Sequence, residues 1–350
     1  MRIERWLDAE ASQAMMAALA TEAPPVVRPT QDPKTGDYQL NGALPLAKRL
    51  KQNPRDLAQK LADAMAAHEA VADASVGGPG FVNLRLDATW IAAQLEAALA
   101  DRARDGIDAV DQPKTIVIDF SSPNIAKQMH VGHLRSTIIG DALVKLNRAV
   151  GHTVIGDNHL GDWGTQYGLL IAGMNRFGSL DSLSEDPIDE LERIYKKASA
   201  LAKEDEAFAD EARAELAKLQ RGDEANLALW KRFVEATRRS LETIYQRLDI
   251  TFDEWLGESA YEAALPGVVE RLLDEGIARE DQGAICIFFS EMGSAPEKLK
   301  KQESPFIVRK KDGAYLYSTT DIATVLHRKE AFSADVSIYV VDARQGRHFE

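Results

Sequence analysis

The run Thr115-Ile116-Val117-Ile118-Asp119-Phe120 is short, apolar and β-branched. Buried strands of a parallel sheet have this texture, and a buried helix fragment shares it. A loop over Ser121–Met129 leads from it into a helix that ends near Val150, where Gly151 supplies a C-terminal stop. His152–Asp157 then reads as a second strand. Strand, loop, helix and strand within about 40 residues make a βαβ unit. That unit confines the chain to a parallel sheet, which binds ligands at the carboxyl ends of its strands. Ile139, Leu143, Leu146 and Val150 recur at helical spacing and predict the face that packs on the sheet.

At 350 residues the chain exceeds one ordinary domain of roughly 100–200 residues. Residues 1–108 read as a small α+β unit, with a helix over Arg5–Ala20 and prolines 24, 25, 29 and 33 breaking the chain after it. Asn53 and Pro54 open a second helix that runs to about His68, as N-cap and first helical position. Strands follow over Val71–Val76 and Phe81–Leu86, then a helix over Ala88–Arg104. Asp105–Pro113 is polar and carries the boundary, so the second unit spans 112–350. Its sheet is interrupted by a charged, mostly helical insertion over about 181–280, and strand texture returns at Ala284–Phe289, Phe306–Val308 and Val336–Val341. A helix near Thr319–Lys329 lies between the last two.

Hydrophobic residues make up 45% of the chain, too many for a disordered one. No uninterrupted apolar run approaches the ~18 residues of a membrane span, and the N-terminal six residues are not those of a secretory signal. The single Cys286 permits neither an internal disulfide nor a zinc cluster. These features predict a cytoplasmic protein. A net charge of −13 argues against indiscriminate DNA coating. The local basic clusters at Arg49–Lys51 and Arg309–Lys311 read first as solvated surface.

The sharpest motif is His130-Val131-Gly132-His133, which opens the helix after the first strand. Chance would supply His-x-Gly-His about 0.01 times in such a chain. A helix N-terminus at this place in a doubly wound sheet favours anions through its free N–H groups and macrodipole. Gly132 leaves room for a close approach, and the histidines offer donors to phosphate oxygens. Capping or core packing is the plainer role for two such histidines. Asp119, at a strand's carboxyl end, stands where such sheets bind ligands. A buried strand-end carboxylate fits it too. Ser122 and Asn124 flank a proline and are turn formers on their own terms.

The stretch Asp119–Thr137 closely resembles arginyl-tRNA synthetases, and His130–His133 is similar to the His-x-Gly-His signature of the class I synthetases. Asn158–Gln166, Tyr317–Asp321 and Val341–Gln345 are further matches, and the N-terminal unit resembles that family's additional domain. The resemblance implies a Rossmann-like catalytic domain that activates arginine with ATP and transfers it to tRNA(Arg). It implies ATP-binding at His130, Gly132 and His133. Arginine's amino and carboxylate ends would meet Asp119, Ser122, Asn124 and His133, its guanidinium would meet Tyr317 and Asp321, and Gln345 is a further amino-acid position. Tyr317 and Asp321 are four apart and share a face at a helix start. A carboxylate accepts the planar guanidinium fork as it cannot accept lysine. Asp321 is expected to have no partner in the free protein. The resemblance also implies Mg²⁺ carried by ATP, with no permanent cofactor, no zinc and no dedicated metal site. The N-terminal unit would touch the tRNA corner, and the protein would be a monomer without membrane or DNA partners.

Two departures stand out. The second class I signature, Lys-Met-Ser-Lys-Ser, is absent, and so is the helical anticodon-binding domain, so the chain reads as a piece of a longer protein. Lys127, just upstream of His130, matches a lysine thought to take over that charge in some relatives, and it joins His130 and His133 as a catalytic candidate. A loop lysine in solvent fits it as well. Two other readings stay open. One is a His-x-Gly-His nucleotidyltransferase with another acceptor; the other is a synthetase-like fragment that only binds tRNA or a partner.

Overall fold

The computed structural model describes residues 3–102, 104, 106–179, 187–302 and 304–349. They pack as two units, Met1–Asp111 and Gln112–Glu350. Residues 181–186, where the insertion was expected to begin, and Glu350 lie outside the described residues. No described helix is long and apolar enough to cross a membrane.

The first unit runs α1 (Ile3–Leu19), β1 (Val27–Pro29), β2 (Tyr38–Leu40), α2 (Ala43–Leu50), α3 (Pro54–Ala66), β3 (Val71–Gly77), β4 (Phe81–Leu86) and α4 (Ala88–Ala100). Its four strands pair antiparallel in the order β1-β2-β4-β3. Asn53 Oδ1 accepts from Arg55 N and starts α3 with Pro54 in the first turn. Leu7, Ala11 and Met15 of α1 and Leu57, Leu61 and Met65 of α3 recur every four residues. They meet Val82, Leu84 and Leu86, alternate residues of β4, in one buried core.

In the second unit β5 (Thr115–Asp119), α5 (Val131–Ala149) and β6 (Thr153–Asp157) form the parallel crossover. The helices α6 (Gln166–Phe177), α7 (Pro187–Glu204), α8 (Glu206–Gln220) and α9 (Glu224–Arg247) follow. The helical texture after residue 190 is split at Asp205, whose side chain accepts from Ala207 N and Phe208 N and starts α8. Then come α10 (Leu265–Asp274), β7 (Arg279–Asp281), β8 (Ala284–Ile287), α11 (Glu297–Lys300), β9 (Phe306–Arg309), α12 (Tyr317–Ala331), β10 (Val336–Tyr339) and α13 (Gly346–Phe349). The parallel sheet has the order β10-β5-β6. Its register sets Tyr339, Asp119 and Asp157 in one row at the carboxyl ends.

Two features depart from the sequence reading. The strand runs after residue 280 do not all return to the parallel sheet. β8 pairs antiparallel with β7 on one side and β9 on the other, around Val269, Ala278, Ile285, Ile287 and Val308, as a small sheet of their own. The face of α5 also differs. Ile139 and Leu146, expected against the sheet, are exposed, and the buried residues are Thr137, Gly140 and Val144. Small size decides this. A Cβ on Gly140 would stand 2.2 Å from Phe120 Cγ, so the helix seats its glycine on the ring that ends β5.

Candidate active site

The loop after β5 is held in a costly conformation. Ser121, Ser122 and Ala126 have left-handed φ of 72°, 47° and 60°. Such angles persist only where neighbours enforce them. Ser121 Oγ shares a hydrogen bond with the Tyr245 hydroxyl at 2.7 Å and accepts one from Thr137 Oγ1 at 2.8 Å. Ser122 N donates to Asn158 Oδ1 at 3.1 Å, and Ser122 Oγ donates to Asp119 Oδ1 at 2.8 Å. Ile125 N donates to Gly161 O and Gly161 N to Pro123 O, both at 3.2 Å. A Cβ on Gly161 would lie 2.1 Å from Asn124 Oδ1, so only glycine allows this approach. These bonds dock the 158–166 stretch on the 119–137 stretch.

His130 is the N-cap of α5, and its Nδ1 accepts from Gly132 N at 3.1 Å. His133 Nδ1 accepts from His130 N at 3.3 Å, and the two rings stack with centroids 3.9 Å apart. Both histidines therefore do cap the helix. With each Nδ1 accepting, the proton of each neutral ring sits on Nε2. Burial, and then the charges of His130 and Lys127, hold the His133 pKa below its ordinary value. Gly132 has a local reason as well: a Cβ there would stand 2.8 Å from His130 Cε1.

His130, Gly132 and His133 line a cavity of about 800 Å³, together with Asp119, Ser122 and Asn124. Tyr317 and Asp321 from the first turns of α12, and Gln345 from the turn after β10, line the same cavity. Asp321 is not free. Its Oδ2 lies 2.6 Å from His348 Nε2, because the chain after β10 returns over α12 and brings His348 down on it. Lys127 stands apart from the other candidates. It is exposed, does not line the cavity, and has its Nζ 5.7 Å from the Tyr195 ring centroid.

Several lining residues were not singled out from the sequence. Glu258 begins a short 3₁₀ segment, Glu258–Ala264, and burial pushes its carboxyl up to about 7, with the charges of Asp162 and Asp321 adding to the shift. Asp162, from the 158–166 stretch, is buried and accepts from Ser259 N at 2.8 Å and Ser259 Oγ at 2.7 Å. It thereby holds the segment that presents Glu258. Arg135 and Arg344 also line the cavity and share Asp342, at 3.1 and 2.8 Å. His159 lines it as well, and with Asp119 and Asp157 it makes the only His/acid group among the described residues close enough to hold a cation. Arg328 already pairs with both carboxylates at 2.6 and 2.7 Å, so a divalent ion does not fit there.

A family described as tRNA synthetases class I (R), catalytic domain, matches residues 94–350, most of the chain. The chain belongs to the class I arginyl-tRNA synthetase family. The arginyl tRNA synthetase N terminal domain family matches residues 2–86. The chain is 45% identical over 320 residues to an arginine–tRNA ligase of Pseudoalteromonas atlantica, covering 90% of this chain and 54% of that protein. It is 43% identical over 355 residues to one of Edwardsiella ictaluri, covering 99% and 60%. The chain thus spans roughly three fifths of these synthetases. Among solved structures, the arginyl-tRNA synthetase of Plasmodium falciparum superposes with a TM-score of 0.74 at 25% identity, over 99% of this chain and 60% of that one. The Thermus thermophilus arginyl-tRNA synthetase superposes at 0.65 and 23% identity, over 94% and 53%, and shares the fold.

Proposed function

We propose that the cavity binds arginine and ATP and joins them as arginyl-adenylate, the first step of charging tRNA(Arg). The observation that carries this reading is the polarity of one cavity. Glu258 on the 3₁₀ segment and Asp321 on α12 line it with carboxyl groups, and two Nε2–H histidines line it from the N-terminus of α5. The carboxylates suit a guanidinium. The helix start, whose macrodipole favours anions, suits phosphates, and Arg135 and Arg344 add positive charge to the same cavity. Asp119, Ser122 and Asn124 would hold the amino-acid end between them.

In this reading an arginine carboxylate oxygen attacks the α-phosphorus of ATP, and pyrophosphate leaves. The chain's residues orient the two reactants and stabilise the charge developing on the phosphate oxygens. Mg²⁺ would enter with ATP, held mainly through phosphate oxygens. The arginyl group then passes to the terminal adenosine of the tRNA. Lys48, Arg49 and Lys51, at the end of α2, support a tRNA contact by the first unit. The placement of Lys127 lends no support to a direct role on phosphate, although its charge reaches His133.

The test is binding of arginine and of lysine to the chain, with Asp321→Asn beside the parent. Loss of a charged partner facing a buried guanidinium costs roughly 3–5 kcal/mol, about 10²–10³ or more in arginine affinity. The thermal midpoint should shift little, because His348 is the only hydrogen-bonding partner that Asp321 shows among the described residues. Arginine affinity within a few-fold of the parent would remove Asp321 from the guanidinium site. A parent that binds lysine as well as arginine would sink the reading.

A further inference from the structure

Arg328 is completely buried, and its Nη2 lies 2.6 Å from Asp119 Oδ2 and 2.7 Å from Asp157 Oδ2. Those two aspartates are register partners at the carboxyl ends of β5 and β6. The Arg328 guanidinium also lies 5.0 Å from the ring of Tyr339, the register partner of Asp119 on β10. One side chain therefore reaches all three strands of the parallel sheet, at the end where the cavity opens. Burial opposes its charge, and Asp119 and Asp157 more than restore it, so the guanidinium stays ionised.

The helix that supplies Arg328 is α12. Asp321 precedes Arg328 by seven residues, two helical turns, and Tyr317 by eleven, three turns. One rigid element thus carries the Tyr317–Asp321 pair at its start and the sheet anchor near its end. Stability alone does not call for the anchor, since a buried ion pair is often no better than well-packed apolar residues of the same volume. What the anchor does is fix a distance. Asp119 and the first turns of α12 both line the cavity, and Arg328 binds the first while belonging to the second.

Resting on the arginine-binding reading above, we propose that Arg328 is a positioning residue that makes the two ends of the substrate a single measurement. It fixes the separation between Asp119, at the ammonium end, and Tyr317–Asp321, at the guanidinium end. Side chains of another length are then rejected. One methylene in a fixed pocket is worth about 10–200-fold, but only if the walls cannot slide. Both bonds come from the one Nη2, and Arg328→Lys keeps a positive nitrogen but on a shorter side chain. It can hold both aspartates only if α12 moves.

The experiment compares the parent chain with Arg328→Lys by titration calorimetry, using arginine and homoarginine, which is one methylene longer. ATP binding and a thermal melt serve as controls. The parent should prefer arginine by about 10–200-fold. Arg328→Lys should bring that preference below about threefold while ATP affinity stays unchanged. A purely structural role would lower the melting point and leave the preference intact, and that result overturns the proposal. A parent that fails to choose arginine over lysine would instead overturn the underlying reading. Should Arg328→Lys not fold, the parent itself supplies the test. Norvaline, which has the amino-acid end and no guanidinium, should slow amide exchange in residues 319–324 of α12. Unchanged exchange at saturating norvaline overturns the coupling.

Discussion

Glu258 has no basic partner among the described residues, and its carboxyl rests at about 7 where a glutamate ordinarily sits at 4.5. The folded state therefore holds an extra proton between those values, and Glu258's contribution to stability falls as pH rises through that window. A bound guanidinium reverses the balance by favouring the ionised form. Arginine binding should then tighten by about tenfold from pH 6 to pH 8 and release close to one proton near pH 6. Calorimetry in two buffers of different ionisation enthalpy measures both. Glu258→Gln should flatten the profile; a profile that keeps its slope would mean that another group titrates. Glu258 shows how far the residues could be read in advance. Asp119, Ser122, Asn124, His130, Gly132 and His133 fall in one contiguous stretch with recognisable spacing. Glu258 sits between a glycine and a serine, and its character comes from burial and then from the charges of Asp162 and Asp321, all of which only the fold supplies.

At the scale of elements, α5 was legible in extent and misread in orientation. Its start at His130 and its stop before Gly151, at φ 94°, were written in the sequence. Its apolar spacing pointed to Ile139 and Leu146, because periodicity weighs size and greasiness, whereas contact with Phe120 selects the absence of a side chain. Gly140→Ala should therefore destabilise the second unit by about 1–3 kcal/mol, even though alanine is the better helix former. The midpoint of urea unfolding reads this out, and an unchanged or raised midpoint would show that α5 can lift off the ring. The β8–β9 pair was hidden for a related reason. A four-residue apolar run does not say which neighbour it will hydrogen-bond, and the answer here lies with α10 and its Val269.

At the scale of the whole molecule, the two units have separate cores. The first closes on Leu7, Leu57, Leu61, Met65, Val82 and Leu84. Residues 1–111 on their own should melt in one cooperative transition, and Leu61→Ala in that piece should cost about 2–5 kcal/mol. A broad, non-cooperative melt of residues 1–111 would show that this core is not enough.

In the second unit, the middle strand of the parallel sheet has neighbours of very different ages. β6 follows β5 almost at once, but β10 is made only after the helices and the small antiparallel sheet. About 180 residues separate Asp157 from Val336, roughly 9–36 s of synthesis at 5–20 residues per second. During that time Ile116, Val117 and Ile118 present an open, apolar edge on the ribosome. Such an edge is a template for wrong partners. The arrival of Val336–Tyr339 closes it, and only then does Tyr339 join Asp119 and Asp157 in the row that Arg328 clasps. The nascent protein thus carries an open strand edge at the place where its cavity will later form.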